Sequence, residues 1–309
     1  MQTTRKRPHR LIAGLALLLV ALGAHAEDAP PDPSGLRLAS VHAAVADLDA
    51  DRLLYTQFSD KSVPIASLTK LMTGLVVLES GAPLGEWLAI PERDKAAANN
   101  AYTRMRVGSE LPRRDLLRLA LMASENHAAY TLARHHPGGF DAFVEAMNEQ
   151  ARALGMGDTH FAGPSGLDPA NRSTAADILR LVKAAHEREL LRQYTQTARY
   201  TARFRKPRYN LFFGNTNVLV YRNHWEVELS KTGYLHEAGR CLALVTQMDG
   251  RTVAAVLLNA FGSRSPVGDV GRIKRWLRNG SGGGVARAAW RYKQRESRRF
   301  ETAEAATSE

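Results

Sequence analysis

Residues 63–74 read Val-Pro-Ile-Ala-Ser-Leu-Thr-Lys-Leu-Met-Thr-Gly, and the rest of the chain is organised around this stretch. The residue before a proline is disfavoured in helical geometry, so Pro64 ends an extended segment. Apolar residues then recur at spacings of three and four as far as Leu78. This spacing predicts a mostly apolar, buried helix that ends before Gly81 and Pro83.

Ser67 lies in the first turn of that helix, and Lys70 follows one turn later on the same face. Unpaired backbone N–H groups at a helix N-terminus favour developing negative charge. A hydroxyl and an amine held together there can serve as nucleophile and base, provided that burial or a second cation lowers the pKa of the lysine. A serine at this position is also a common helix cap, so the pair alone leaves both interpretations open.

The N-terminal segment has the pattern of a secretory signal peptide. Residues 1–10 are basic without any acid, residues 11–23 are apolar, and Ala24-His25-Ala26 is a small-x-small cleavage site. The apolar run is too short to span a bilayer. We therefore expect residues 1–26 to be removed, and the mature protein to be exported and to begin at Glu27.

Charge and cysteine content narrow the function classes. The formal net charge is +11, and the four basic residues of the predicted signal peptide leave 11 − 4 = +7. The positive charge of an exported protein favours binding to an acidic surface, such as an anionic wall polymer or lipid headgroups. The sequence contains no nucleic-acid-binding motif. The single cysteine, Cys241, excludes an internal disulfide, and its apolar neighbours predict a buried strand residue.

Strand patterns at both ends of the folded part enclose a helical block. Strands are predicted over 41–50, 52–57, 228–234, 241–248 and 252–260, and helices over most of 82–190 and over 269–278. Asp249-Gly250 is a strong hairpin signal. This order predicts an α+β architecture, in which one antiparallel sheet is assembled from both ends of the chain and a helical lobe is inserted beside it.

The domain boundaries follow from composition. We expect a polar lead-in over 27–39, one folded domain over 40–278, and a Gly/Ser linker followed by a flexible basic tail over 279–309. Only 309 − 278 = 31 residues follow the closing helix, so no second domain is expected there. The aromatic residues of the tail leave open a loose association with the wall or a membrane surface.

Two further motifs strengthen the catalytic interpretation. Ser124-Glu125-Asn126 follows a predicted helix of the lobe, and Lys231-Thr232-Gly233 lies on a predicted strand of the sheet. Each alone is a common helix end or strand end. Together with Ser-x-x-Lys, in this order and in these contexts, they resemble the three-motif set of the penicillin-recognising serine enzymes.

The resemblance extends through residues 213–234 and 238–242, which are similar to D-alanyl-D-alanine endopeptidases of the penicillin-binding protein 7 type, in the low-molecular-mass group of serine DD-peptidases. It covers roughly residues 40–278. It implies the β-lactamase/DD-peptidase-like fold, an antiparallel sheet flanked by helices with an inserted helical lobe. It also implies an active site between sheet and lobe and a periplasmic location.

The resemblance implies catalytic roles for the matching residues. Ser67 would attack the carbonyl carbon of a D-alanine and form an acyl-enzyme, while Lys70 would take its proton. Ser124 would relay a proton to the leaving amine. Lys231 would keep Lys70 neutral through its charge and help to attract a carboxylate. This mechanism requires neither a metal nor an organic cofactor.

The remaining matching residues would bind the substrate. Asn126 would hold its amide, and Thr232 would hydrogen-bond its carboxylate. Gly233 would let the substrate backbone approach the edge of the strand. The backbone N–H groups of Ser67 and Tyr234 would form an oxyanion hole, in which one such donor is worth about 2.7–4 kcal/mol.

Two other hydrolase classes fit less well. Class A β-lactamases carry a glutamate in a loop after the helical lobe that hydrolyses the acyl-enzyme. The corresponding loop here, residues 161–172, contains no glutamate, and its one carboxylate, Asp168, precedes Pro169 as a turn residue would. We therefore expect β-lactams to act as covalent inhibitors. The histidines form neither His-x-His nor His-Glu-x-x-His, which disfavours a zinc peptidase.

The expected substrate is peptidoglycan. The resemblance around Asn215-Thr-Asn217 and Tyr221-Arg-Asn-His-Trp225, together with the short segment after the closing helix, favours an endopeptidase that cleaves the D-alanyl–diaminopimelate crosslinks. A D-alanyl-D-alanine carboxypeptidase is the alternative. A catalytically silent peptidoglycan-binding protein is a third hypothesis, which covalent labelling by a fluorescent penicillin would test.

Overall fold

The computed structural model of the chain describes residues 31–93, 102–222 and 224–307, with side chains described as far as residue 300. The predicted signal peptide and the first residues of the lead-in lie outside these ranges. Within them, no helix has both the length and the apolar character that crossing a membrane requires.

The elements are numbered in chain order. The strands are β1 (His42–Asp47), β2 (Arg52–Gln57), β3 (Val63–Pro64), β4 (Trp87–Ala89), β5 (Glu110–Pro112), β6 (Arg172–Ser173), β7 (Arg199–Phe204), β8 (Tyr209–Gly214), β9 (Val227–Leu235), β10 (Gly239–Met248) and β11 (Arg251–Ala260). The helices are α1 (Thr69–Glu79), α2 (Arg113–Met122), α3 (Asn126–Arg134), α4 (Gly139–Ala153), α5 (Ala175–His186), α6 (Glu189–Thr195), α7 (Ser265–Asn279) and α8 (Arg287–Thr307). Short 3₁₀ turns cover Pro33–Gly35, Ala66–Leu68 and Val218–Tyr221.

The main sheet is antiparallel, with the strand order β2-β1-β11-β10-β9. Strand β1 pairs with β11 so that His42 lies opposite Leu258 and Asp47 lies opposite Val253. The first and last strands of the domain are therefore neighbours. This confirms the predicted sheet that is assembled from both ends of the chain.

Alternate residues of this sheet face two different cores, because successive side chains of a strand point to opposite faces. Val245 of β10 contributes to one core, which also contains Leu71 of α1 and extends into the helical lobe. The adjacent Leu244 contributes to the second core, which is covered by Trp276 of α7. The sheet is thus a middle layer between the lobe and the closing helix, and α1 reaches it from the lobe side.

The region of 82–190 contains α2, α3, α4 and α5, as predicted, together with the very short strands β4, β5 and β6. Strand β4 pairs with β5, and β6 pairs with β3 just before the 3₁₀ turn that carries Ser67. Strands β7 and β8 form a separate hairpin instead of joining the main sheet. Reciprocal backbone bonds between Glu110 and Arg205, of 2.9 and 3.1 Å, tie this hairpin to the lobe.

The turn between β10 and β11 has the geometry that its sequence predicts. Asp249 and Gly250 have φ of 54° and 75°, and a two-residue type I′ hairpin needs positive φ at both positions. Cys241 is 2% exposed in β10, as expected. Burial raises the pKa of its thiol to about 12, so it is a packing residue.

The prediction of a flexible tail is wrong for residues 287–307, which form α8 against the main sheet. Lys293 is buried on its inner side, and the Tyr292 hydroxyl donates to Asn259 Oδ1 at 2.6 Å. The ring of Phe300 packs edge-on against His42, with 4.8 Å between ring centroids. The contact stripe is narrow and includes charged residues, so it does not produce an apolar helical pattern.

Candidate active site

Ser67 is placed by a strained turn at the start of α1. The preceding Ala66 has φ of 49°, an uncommon conformation for a residue with a side chain. Its carbonyl accepts a 2.8 Å hydrogen bond from the hydroxyl of Thr69. One turn on, Lys70 Nζ lies 2.8 Å from Ser67 Oγ. The predicted Ser-x-x-Lys pair is therefore in direct contact.

Lys70 is fully buried and has three polar partners. Its Nζ lies 2.8 Å from Ser67 Oγ, 2.7 Å from Asn126 Oδ1 and 2.5 Å from the carbonyl of Ser165. Burial, and secondly the nearby charge of Lys231, hold the pKa of Lys70 well below its ordinary value. A neutral amine has two N–H donors and one lone pair. Two of its partners only accept, and the third is a hydroxyl that can donate to the lone pair, so the contacts fit the neutral form.

Ser124 and Lys231 form a second hydroxyl–amine pair. Ser124 lies between α2 and α3 with φ of 58°, and its Oγ is 2.8 Å from Lys231 Nζ. The same Nζ donates to the carbonyl of Thr232 at 2.9 Å. Burial lowers the pKa of Lys231 to about 7. The charge of Lys231 contributes to the lowered pKa of Lys70, so Lys231 rather than Lys70 is suited to carry a proton.

Strand β9 passes directly beside the nucleophile. A Cβ atom built on Gly233 would lie 3.1 Å from the backbone nitrogen of Ser67 and 3.1 Å from Cβ of Ala66. A side chain at this position would force Ala66 and Ser67 to shift by a few tenths of an ångström, and glycine avoids that shift. On the other face of the strand, the hydroxyl of Thr232 donates to Thr216 Oγ1 at 2.7 Å, and Tyr234 is 48% exposed.

The loop of residues 161–172 supplies a contact that the sequence did not predict. The carbonyl of Ser165 accepts from Lys70, and the hydroxyl of Thr73 holds the loop by donating to the carbonyl of Pro164 at 2.6 Å. A Cβ on Gly166 would meet the carbonyl oxygen of Ala66 at 1.9 Å, so the loop fits only with glycine there. The signal available in the sequence was the glycine itself, within Gly163-Pro-Ser-Gly166.

Asp168 behaves as the predicted turn residue. Its Oδ1 accepts a 2.8 Å hydrogen bond from the backbone nitrogen of Ala170, and its carbonyl accepts from the backbone nitrogen of Asn171 at 3.0 Å. Its carboxylate is thus engaged in the turn that it begins.

Glu125, between two predicted site residues, was also missed. Its carboxylate caps α3 by accepting from the backbone nitrogen of His127 at 3.2 Å. Burial raises the pKa of Glu125, against the opposing effects of its hydrogen bonds and of nearby Lys70 and Arg93. By capping the helix it fixes the turn that presents Ser124 and Asn126. The sequence pattern at Ser124-Glu125-Asn126 predicted only the end of the preceding helix, and did not predict that Glu125 caps the next one.

The eight predicted site residues meet at one cleft of about 1430 Å³ between the sheet and the lobe. Six of them line it and two lie buried behind it: Ser67, Ser124, Asn126, Thr232, Gly233 and Tyr234 form the wall, and Lys70 and Lys231 lie beneath. In the ranges that the structure covers, no group of three or more His, Cys, Asp or Glu side chains is placed to hold a metal ion.

Comparison with known proteins places this geometry in a family. Residues 26–262 match the sequence profile of the peptidase S11 family, D-alanyl-D-alanine carboxypeptidase. The chain is 43% identical to a D-alanyl-D-alanine endopeptidase of Pseudomonas aeruginosa, over 94% of this chain and 95% of that protein. It is 41% identical to the D-alanyl-D-alanine endopeptidase of Escherichia coli, over 84% of each.

Solved structures show the same fold. The DD-transpeptidase of Streptomyces K15 superposes with a TM-score of 0.73 at 28% identity, covering 78% of this chain and 98% of that one. Penicillin-binding protein D2 of Listeria monocytogenes, in its ampicillin-bound form, superposes with a TM-score of 0.66 at 30% identity, covering 77% and 96%.

Proposed function

Because the chain belongs to the peptidase S11 family of serine D-alanyl-D-alanine peptidases, we propose that it is an endopeptidase that cleaves the D-alanyl–diaminopimelate crosslinks of peptidoglycan. The observation that carries the reaction type is the 2.8 Å contact between Ser67, in the cleft wall, and the buried Lys70, with Lys231 behind it. The preference for crosslinks rests on the extensive similarity to two proteins that are named endopeptidases.

The first half of the reaction uses both hydroxyl–amine pairs. Ser67 Oγ attacks the D-alanyl carbonyl carbon, and Lys70 takes the proton of the hydroxyl. The carbonyl π electrons move to oxygen, where the backbone N–H groups of Ser67 and Tyr234 stabilise the charge. When the intermediate collapses, the C–N bond breaks and Ser124 passes a proton to the leaving amine. Attack by water then releases the D-alanyl product and returns the proton to Ser67.

Substrate binding is assigned to residues of the cleft wall. Asn126 Oδ1 is already engaged by Lys70, which leaves its amide N–H groups to donate to a substrate carbonyl. Thr232, supported by the charge of Lys231, binds the carboxylate next to the scissile bond. Gly233 gives the substrate backbone access to β9. The same positions accept the carbonyl and carboxylate of a β-lactam, so penicillin would acylate Ser67.

The decisive experiment is a digest of two defined muropeptides, a crosslinked dimer and a pentapeptide monomer, followed by mass spectrometry. We expect the dimer to be converted to monomers first. Ser67→Ala should abolish both this reaction and labelling by a fluorescent penicillin, while the melting temperature stays close to that of the original chain. Release of terminal D-alanine alone, with dimers persisting, would contradict the endopeptidase assignment but not the serine DD-peptidase assignment.

The carboxypeptidase alternative is favoured by the family description and by relatives at 27–28% identity that are named carboxypeptidases. The digest separates the two activities. A silent wall-binding protein would take no label from penicillin at all. Since peptidoglycan lies outside the cytoplasm, we place the protein in the periplasm after export by the signal peptide of residues 1–26. Fractionation of cells that produce the tagged chain tests this location, and the same fractions test a loose wall or membrane-surface association.

A further inference from the structure

Arg240 is an unpaired cation at the wall of the cleft. It lies directly opposite Tyr234 in the β9–β10 ladder, and its Cζ is 3.8 Å from the centroid of the Tyr234 ring. Within the described ranges, no carboxylate is in ion-pair distance of this guanidinium and no acceptor hydrogen-bonds it. A guanidinium held over a ring keeps its N–H groups free at the edge, where they match the geometry of a carboxylate.

Arg240 lies on the same face of the sheet as Thr232, which is assigned to the leaving part of the substrate. Thr232 and Tyr234 lie on the same face of β9, about 6.7 Å apart, because every second residue of a strand shares a face. Thr232 is the residue assigned to the carboxylate beside the scissile bond. Arg240 therefore presents a positive charge on this face, within roughly 10 Å of Thr232.

The surrounding wall has the same sign of charge. Arg222 and Arg264 also line the cleft and are exposed, and Glu237 is the one carboxylate among its described lining residues. Arg272 and Arg275 belong to the wall too, but they donate to Asp269 and to backbone carbonyls of the linker. The cleft beyond Thr232 thus attracts anions.

The two candidate activities differ in what leaves the active site. A carboxypeptidase releases D-alanine, which has a single carboxylate next to the scissile bond. An endopeptidase releases a whole stem peptide, which carries further carboxylates at its D-glutamyl residue and at its C-terminus. A cation located beyond the first carboxylate site contacts only the second kind of leaving group.

We propose that Arg240, held on Tyr234, is a specificity-determining residue that binds a carboxylate of the leaving stem peptide beyond the scissile bond. This inference rests on the proposed endopeptidase function. It explains how the cleft distinguishes a crosslink from a chain end without any change in the acylation machinery.

The first test compares Arg240→Gln and Arg240→Lys with Arg278→Gln, which removes an exposed arginine that does not line the cleft. For Arg240→Gln we expect kcat/KM on the dimer to fall about tenfold, the loss expected for one charge-assisted hydrogen bond. D-alanine release from the pentapeptide and the rate of penicillin acylation should fall less than twofold. Arg240→Lys should recover part of the loss, and Arg278→Gln should match the original chain.

The second test changes the substrate. Two amidated dimers are compared with the unmodified dimer. One is amidated at the D-glutamyl carboxylate of the leaving stem peptide and the other at its C-terminus, so each lacks one of the two candidate anions. The original chain should cleave one of the two amidated dimers about tenfold more slowly than the unmodified dimer. The Arg240→Gln variant should cleave that amidated dimer and the unmodified dimer at the same rate. If both proteins discriminate equally, or if Arg240→Gln slows penicillin acylation as much as dimer cleavage, the assignment of Arg240 is wrong.

A binding measurement separates this inference from the proposed function. In the Ser67→Ala background, adding Arg240→Gln should weaken calorimetric binding of the dimer about tenfold and leave pentapeptide binding unchanged. This result is independent of turnover. If the original chain leaves dimers intact, the proposed function fails. If dimer binding is insensitive to Arg240, the inference fails whether or not dimers are cleaved.

Discussion

The chemistry depends on which of two buried lysines carries a proton. Lys70 must be neutral to accept the proton of Ser67, and Lys231 must be charged to attract a carboxylate and to keep Lys70 neutral. Both pKa values are lowered by burial, and that of Lys70 is lowered further by the charge of Lys231. The active form is therefore the singly protonated pair, which exists only between the two titrations.

This arrangement predicts a bell-shaped pH profile for penicillin acylation. The second-order rate constant should rise as Lys70 loses its proton, well below the ordinary pKa of a lysine, and should fall as Lys231 loses its proton near pH 7. A bound carboxylate favours the charged form of Lys231. The first-order rate constant of the bound complex should therefore begin to fall at a higher pH than the second-order rate constant does. Stopped-flow measurement of acylation gives both rate constants.

Lys70→Arg is the matched variant for this profile, because a guanidinium keeps its positive charge at every accessible pH. We expect it to give no acyl-enzyme anywhere in the range. Thermal unfolding monitored by circular dichroism checks that the variant is folded. A folded Lys70→Arg protein that is acylated at a normal rate would remove Lys70 from the role of base.

Among the secondary-structure elements, α8 has the clearest energetic consequence. It covers the sheet at β11 through the Tyr292–Asn259 hydrogen bond and the Phe300–His42 ring contact. It also buries Lys293, whose Nζ donates to Gln57 Oε1 at 2.6 Å and to the carbonyl of Leu38 at 3.1 Å. These contacts favour the folded state, while burial of the ammonium group opposes it and lowers the pKa of Lys293 to about 8.

Deletion of residues 285–309 should lower the free energy of unfolding by about 2 kcal/mol at pH 7, from the lost hydrogen bonds and ring contact. The folded pKa of Lys293 lies below the unfolded value of 10.5, so the folded state binds fewer protons between about pH 8 and 10.5. The advantage of the full chain over the deletion should therefore grow across that window, as urea unfolding at each pH can measure.

Lys293→Met in the full chain is the control for this pH dependence. It keeps the helix and removes the lysine, so its advantage over the deletion should not grow between pH 8 and 10.5. An equal pH dependence in both full-length proteins would show that Lys293 is not the group responsible.

For the molecule as a whole, Asp269 of α7 joins the two ends of the domain. Its Oδ1 accepts from the backbone nitrogen of Ala39 at 2.8 Å, and its Oδ2 accepts from the backbone nitrogen and the hydroxyl of Ser40 at 2.8 and 2.7 Å. Arg272 donates to the same carboxylate at 3.0 Å. The lead-in, the sheet and the closing helix are therefore fastened at one buried carboxylate.

Asp269→Ala leaves two buried backbone N–H groups without an acceptor, at about 1–3 kcal/mol each. We expect this variant to lower the free energy of unfolding by about 3–5 kcal/mol, as measured by urea denaturation. Asp269→Asn should have a stability between those of the original chain and Asp269→Ala, because its amide oxygen still accepts a hydrogen bond. Penicillin acylation at low temperature should change less than twofold. An unchanged stability, or a loss of acylation in a protein that is still folded, would contradict this role.

Much of this architecture was predictable, and what was not has physical reasons. The Ser67–Lys70 contact follows from helical spacing, and the Asp249-Gly250 hairpin from two residues that tolerate positive φ. The contact from Ser165 comes from a backbone carbonyl, which no side-chain pattern encodes.

Other features depended on tertiary contacts. Helix α8 was missed because its buried stripe includes Lys293, whose partners lie more than 230 residues away. Strands β4 and β5 have three residues each, too few for an alternating pattern to be distinguished from a loop. Short elements and polar contacts across long sequence separations are therefore where the structure adds most.

The turn at Asp168 has a consequence for antibiotics. Its carboxylate is occupied by the backbone of Ala170, and the loop of residues 161–172 contains no other carboxylate to activate a water molecule. We therefore expect an acyl group left on Ser67 by penicillin to be removed slowly. Each drug molecule would then inactivate one protein molecule and be consumed, so inhibition would follow a one-to-one stoichiometry. The dose that stops this activity is set by how many copies a cell makes.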